Sequence, residues 1–161
     1  MTGKLVKTVI IIAIILSVLG FLSYSYNADV EAISSIEVKL DDIDLTDIKF
    51  TSFKLKLDVN ISNPTNQHIS NLSSNFDIYI AENYVGKGNF SKVSIPASSH
   101  CSKDIFVTIY YSGLADAAVD VIKNLITNEE FDLTIDGKIS ENALFGLTTA
   151  SQSFKAIQTY P

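Results

Sequence analysis

The hydrophobic rhythm of this chain changes near residue 28. From Thr8 to Ala28 no residue is charged, and Val9 to Leu22 is almost unbroken in its apolar character. A helix over that run, rising about 1.5 Å per residue, reaches ~30 Å, the thickness of a bilayer core. It has no polar face to turn toward water, which predicts a segment that meets lipid. Beyond a short polar stretch the period becomes two. In Phe53–Ile61 every odd position is apolar and every even one polar, the alternation of a half-buried strand. Phe76, Ile78 and Ile80 repeat it, as do Phe131, Leu133, Ile135 and Ile139, with Gly137 predicted to mark a bulge or a close contact. Ile105, Val107 and Ile109 alternate with Phe106, Thr108 and Tyr110, which predicts a strand covered on both faces. Ile36, Val38 and Leu40 predict an earlier strand that Ile43 and Leu45 continue or restart, and Leu147–Ile157 a last one.

Turn signals punctuate these runs at Asn63-Pro64, Gly86-Lys87-Gly88, Pro96 and Asn128–Glu130. Short strands at such spacing indicate an all-β sandwich or barrel. One segment departs from the rhythm. Leu114, Ala118, Val121, Ile122 and Leu125 stand at helical spacing, with Ser112 as the expected N-cap and Asp116 in the first turn. The apolar stripe of this helix is expected to pack on an edge or end of the sandwich.

Charge adds a direction. The only charges before Asp29 are Lys4 and Lys7, whereas all 18 acids lie from Asp29 onward. Against the 10 lysines there, the rest of the chain stands at −8, and arginine is absent from the whole. The positive-inside rule then keeps the N-terminus in the cytoplasm and exports the remainder, a single-pass protein of the cell membrane. Tyr24 and Tyr26 fall where an interfacial aromatic belt would sit. A cleaved signal peptide is the rival reading, with small-x-small sites at Val30-Glu31-Ala32 and Ser23-Tyr24-Ser25. The length of the uncharged run and its aromatic cap favour a retained anchor, reaching the membrane through Val9–Leu22. An acidic, arginine-free domain is a poor partner for nucleic acid or for anionic lipid headgroups. In an exported domain Asn60, Asn71 and Asn89 fit the glycosylation triplet, while Asn63 is followed by proline and does not.

No constellation for catalysis emerges. His100 and Cys101 are adjacent on an expected strand and point to opposite faces, and His68 falls in a polar loop. The two histidines and one cysteine are too few for a structural zinc site, and the lone cysteine forms no internal disulfide. The run Asp41-Asp42-Ile43-Asp44-Leu45-Thr46-Asp47 is the best calcium candidate. It lacks the glycine and terminal glutamate of an EF-hand loop, and its interleaved apolar residues suit a solvated strand face. Gly86-Lys87-Gly88 lacks the spacing and the Lys-Ser/Thr end of a phosphate loop and is expected to form a hairpin turn. These readings predict no cofactor, no metal and no enzyme.

The strand Leu55–Thr65 ending in Asn63-Pro64, then Phe76–Ile80, Val85–Gly88, Ser94–Ser98 and Ile105–Tyr111, stand in an order that resembles the WHy (water stress and hypersensitive response) domain of the late embryogenesis abundant type 2 family. The resemblance runs from Ile33 to Ile157, and its most specific marks are Asn63-Pro64 and Ile95-Pro96-Ala97. It implies a fibronectin type III or immunoglobulin-like antiparallel sandwich with one added helix, no active site, and a role in tolerating desiccation. Asn63, Pro64, Gly86, Gly88 and Pro96 are then architectural motif residues. The family includes many members without a membrane segment. The expected organisation is an anchor or signal peptide over 1–28, a stalk over 29–35 and a WHy-like domain over 36–161. The expected function is protection or scaffolding of envelope components under water stress, with a module binding an envelope protein or glycan as the alternative.

Overall fold

A strand with one apolar and one polar face must bury the first against a second sheet. The computed structural model describes residues 2–160 apart from 117, 121 and 124–129, and there that pairing is made. After helix α1 (Thr2–Ser34), the described residues form strands β1 (Glu37–Thr46), β2 (Ser52–Asn63), β3 (Ile69–Ile80), β4 (Asn83–Ile95), β5 (Ser99–Tyr110), β6 (Phe131–Ala143) and β7 (Thr148–Tyr160). One sheet has the order β1-β2-β5 and the other β4-β3-β6-β7, with antiparallel neighbours throughout. The molecule is therefore an all-β antiparallel sandwich with a long apolar helix in front of it. The odd positions of β2 from Phe53 to Ile61 share one buried core with Ile78 and Ile80 of β3 and Leu133, Ile135 and Ile139 of β6.

Two strands keep their apolar residues inward by breaking phase. In β1 the register shifts between Leu40 and Asp42, so Val38, Leu40 and Ile43 are all buried in one continuous strand. An added residue at that point restores the face that strict alternation would have lost. In the β3–β4 pair, Asn71 and Lys92 take left-handed φ values of 59° and 58° beside register shifts, bringing both Ile69 and Leu72, and both Phe90 and Val93, inward.

Four expectations are corrected. Strand β5 is not covered on both faces. It is an edge strand whose Phe106, Thr108 and Tyr110 face solvent, because three-stranded packing leaves the outer side without a third layer. Gly86-Lys87-Gly88 is not a turn. It lies inside β4, and the hairpin turns at Ala81-Glu82 with positive φ at both residues. Ser112 is no N-cap, since it sits in a 3-10 turn over Tyr111–Gly113 and the next helical hydrogen bond runs from Val119 N–H to the Ala115 carbonyl. That bond and the buried Ala118 and Ile122 belong to the helical stretch expected over 114–126. Val121 and Leu125 of the same stripe lie outside the described residues. The residues read as a stalk are helical through Ser34, and Ala32 and Ile33 are buried in the core. Gly137 makes a close contact rather than a bulge, for the β6 registers run unbroken through it.

Candidate functional site

The pairing registers gather the termini of α1, β2, β4 and β6 at one end of the sandwich. Glu37 faces Ser62, Asn63 faces Ser99, Ile69 faces Ile95, and Ala143 faces Thr148. The helix-side pole thus consists of the end of α1 and the β2–β3, β4–β5 and β6–β7 connections. At the far pole lie the β1–β2 connection, the Ala81-Glu82 turn and the 3-10 turn Tyr111–Gly113 that follows β5.

Asn63 is the centre of the helix-side pole. The alternation of β2 brings position 63 inward, in phase with Leu57, Val59 and Ile61, so an amide is buried where a hydrophobe would be expected. Every polar atom on it has a partner. Its Nδ2 donates to the carbonyls of Gln67 at 2.7 Å and Pro96 at 3.1 Å, and its Oδ1 accepts from the Thr65 N–H at 3.1 Å and the Thr65 hydroxyl at 2.7 Å. The two most specific marks of the sequence, Asn63-Pro64 and Ile95-Pro96-Ala97, are therefore a single site in space. Ser98, at φ 51°, completes it by donating its N–H to the Thr65 carbonyl at 2.8 Å. Pro64 and Pro96 are exposed, and their contribution is backbone restriction. Sequence reading treated Asn63 as a turn former; the phase of β2 was the available signal that it is also a core residue.

Motif Gly88 and, outside the motif, Gly137 serve packing. Phe76 of β3 is flanked by Gly88 of β4 and Gly137 of β6 in the ladder. A Cβ on Gly88 would clash with the Cε2–Cζ edge of the Phe76 ring, and one on Gly137 would lie 2.5 Å from the Asn75 carbonyl oxygen and 2.7 Å from Phe76 Cα. Gly86 is less confined, its nearest neighbour being Ile109 Cγ1 at 3.7 Å.

Helix α1 meets the pole along one side. The Leu144 N–H donates to Asp29 Oδ2 at 2.9 Å, and the Phe21 and Phe145 rings stack with centroids 6.5 Å apart. A cleft of about 710 Å³ opens between α1 and the β2–β3 connection, lined by Tyr24, Asn27, Glu31, Thr65, Asn66 and Gln67 among others. Beside it Glu141 accepts from the Ser70 N–H at 2.7 Å. Partial burial lifts its carboxyl above the ordinary range, the Ser70 N–H opposes this, and the nearby Asp29 carboxylate adds to the rise.

The remaining candidates are dispersed. His68 is exposed and within 3.1 Å of the Ser94 hydroxyl, His100 is exposed, and Cys101 is a half-buried free thiol. Within the acidic run each carboxylate looks elsewhere. Asp41 accepts from Asn60 at 2.8 Å and Asp42 from the Ile43 N–H at 2.9 Å, while Asp44 lies 4.0 Å from Lys56. Asp47 pairs with Lys54 at 2.9 Å and Lys49 at 3.2 Å, which lowers its pKa. Among the described residues no group of three or more His, Cys, Asp or Glu could hold a metal ion. Of the three glycosylation triplets, Asn71 and Asn89 are exposed, and Asn60 is half-buried with its amide held by Asp41.

The class this defines is a fibronectin-like antiparallel sandwich carrying an N-terminal helix long and apolar enough to cross a membrane, as a single-pass anchor or a signal sequence would be. No family model matches the chain, and no curated protein matches it. Among solved structures it is similar to AT1g01470 from Arabidopsis thaliana, known in solution, at 22% identity and TM-score 0.56 over 78% of this chain and 82% of that one. It also matches the solution structure of a candidate late embryogenesis abundant (LEA) protein, At2g46140.1, at 18% identity and TM-score 0.49, covering 92% and 84% of the two chains. A crystal structure of a protein from Archaeoglobus fulgidus matches at 10% identity and TM-score 0.45, covering 78% and 94%. The likeness to AT1g01470 is one of fold, the antiparallel sandwich.

Proposed function

We propose that the chain is a non-catalytic WHy-like domain, residues 36–161, held outside the cell membrane by an anchor segment over residues 1–28, where it protects or scaffolds envelope components during water stress. The observation that carries the anchoring is the charge-free run from Thr8 to Ala28, with only lysines as charges before it and an acidic domain after it. None of its most apolar stretch is buried against the sandwich. The stress role rests on the family resemblance and on the surface itself, whose −8 charge and lack of arginine favour hydration and mutual repulsion over docking. Asn63, Pro64, Gly86, Gly88 and Pro96 are read as architectural, and Asn71 and Asn89 as the accessible glycosylation positions where the host glycosylates exported chains.

Topology is tested with a single exposed thiol. In a Cys101→Ser background, Lys103→Cys is expected to react with a membrane-impermeant maleimide in intact cells, and the labelled protein to remain in the membrane pellet after alkaline carbonate washing. Labelling only after lysis would refute the exported orientation. A soluble labelled fragment beginning near Ile33 would refute the anchor. For the stress role, loss of the gene is expected to reduce survival after drying, and unchanged survival after drying, salt and freezing would remove it.

A further inference from the structure

We infer that the β6–β7 connection is a second membrane contact, in which Phe145 and Leu147 dip into the outer leaflet beside α1. This rests on the anchoring proposed above. Phe145 and Leu147 are 81% and 79% exposed, although both are large hydrophobes at the pole where α1 joins the domain. The backbone holds them there under strain. Leu144 and Phe145 have φ values of 50° and 57°, and Gly146 follows at 89°, so residues without glycine's freedom occupy left-handed conformations. The Leu144 N–H bond to Asp29 fastens the connection to the helix.

The occupant of this surface is argued from continuity. Phe145 stacks on Phe21, which belongs to the charge-free run and is itself 59% exposed. Whatever solvent surrounds Phe21 therefore surrounds Phe145, and for a spanning helix that solvent is lipid. From Asn142 to Phe154 the chain carries no charge, so the connection itself brings no ionised side chain into the leaflet, and the Asp29 carboxylate beside it is hydrogen-bonded to the Leu144 N–H. An apolar loop at headgroup depth beside tyrosines of the same helix matches the composition of an interfacial belt. The contact is apolar rather than electrostatic, in keeping with an acidic domain, and it needs no anionic lipid.

The chain contains no tryptophan, so Phe145→Trp and, separately, Leu147→Trp each install a single tryptophan, excited selectively over the tyrosines, at a position that is already exposed. The full chain is reconstituted in phosphatidylcholine vesicles, with and without lipid brominated on the acyl chains, and Phe106→Trp on the exposed side of β5 serves as the reference. The expected result is blue-shifted, bromine-quenched emission from position 145 or 147, and unshifted, unquenched emission from 106, in vesicles from which carbonate does not extract the chain. Unquenched emission from both loop positions in a carbonate-resistant chain would overturn this inference and leave the anchor standing. Equal quenching at 106 would overturn it in favour of a domain lying flat on the bilayer. Extraction by carbonate would overturn the anchor and the loop contact together.

Discussion

At the scale of single residues, Asn63 carries more of the architecture than any charged group. It is buried with donors and acceptor all satisfied, joining the end of β2 to two loops. Truncating it strands the Gln67 and Pro96 carbonyls and the Thr65 N–H, and an unsatisfied buried polar group costs about 1–3 kcal/mol. Asn63→Ala is therefore expected to lose ~3 kcal/mol, a drop of roughly 10 °C in melting temperature for a domain of this size, read by circular dichroism of the full chain in detergent. Asn63→Asp should fare no better, because it keeps the acceptor, loses the donor and buries a charge. A loss below 1 kcal/mol for Asn63→Ala would show that the clip is not structural. The ion pairs of Asp47 offer a contrast. They are exposed, and pairs of that kind contribute little.

At the scale of elements, the three extended glycines of β4 and β6 separate two uses of the residue. As turn residues Gly86 and Gly88 would serve by their freedom to take positive φ; inside a strand, what matters is the space beside them. Gly86→Ala is expected to change stability by less than about 0.5 kcal/mol, whereas Gly88→Ala and Gly137→Ala should each cost ~3 kcal/mol or more through overpacking. A double-mutant cycle with Phe76→Ala divides the last two. Removing the ring relieves Gly88→Ala, but leaves Gly137→Ala in conflict with the Asn75 carbonyl and Phe76 Cα. Equal penalties at Gly86 and Gly88 in urea unfolding would contradict this account.

At the scale of the whole molecule, the helix-side pole couples anchor and sandwich, and Glu141 reports on it. Its carboxyl is raised mainly by burial, so the folded state favours the protonated form. The penalty is absent below the ordinary value of 4.5, where both states are protonated, and complete once pH passes the raised folded value. Wild-type stability therefore loses this contribution as pH rises through that window. Glu141→Gln, which still offers an acceptor to the Ser70 N–H, is expected to match wild type near pH 4 and to exceed it at pH 7. A difference in melting temperature that does not vary with pH would rule the explanation out.

The sequence by itself determined the membrane-length helix, the sandwich class and most of the strands, because periods of hydrophobicity are local and one face of each strand must be buried. Its failures were those of faces and edges. Phe106 and Tyr110 suggested a doubly covered strand, yet β5 closes the edge of a three-stranded sheet with nothing outside it. Strand β7 buries Ala150 and Ala156 and exposes Ile157, so its aliphatic bulk marked the wrong face. Only the tertiary structure decided that Asn63 and Pro96 are neighbours, that Gly88 and Gly137 share Phe76, and that Phe145 lies against Phe21. Those contacts join residues far apart in the chain, and their geometry exists only once strand order and register are set.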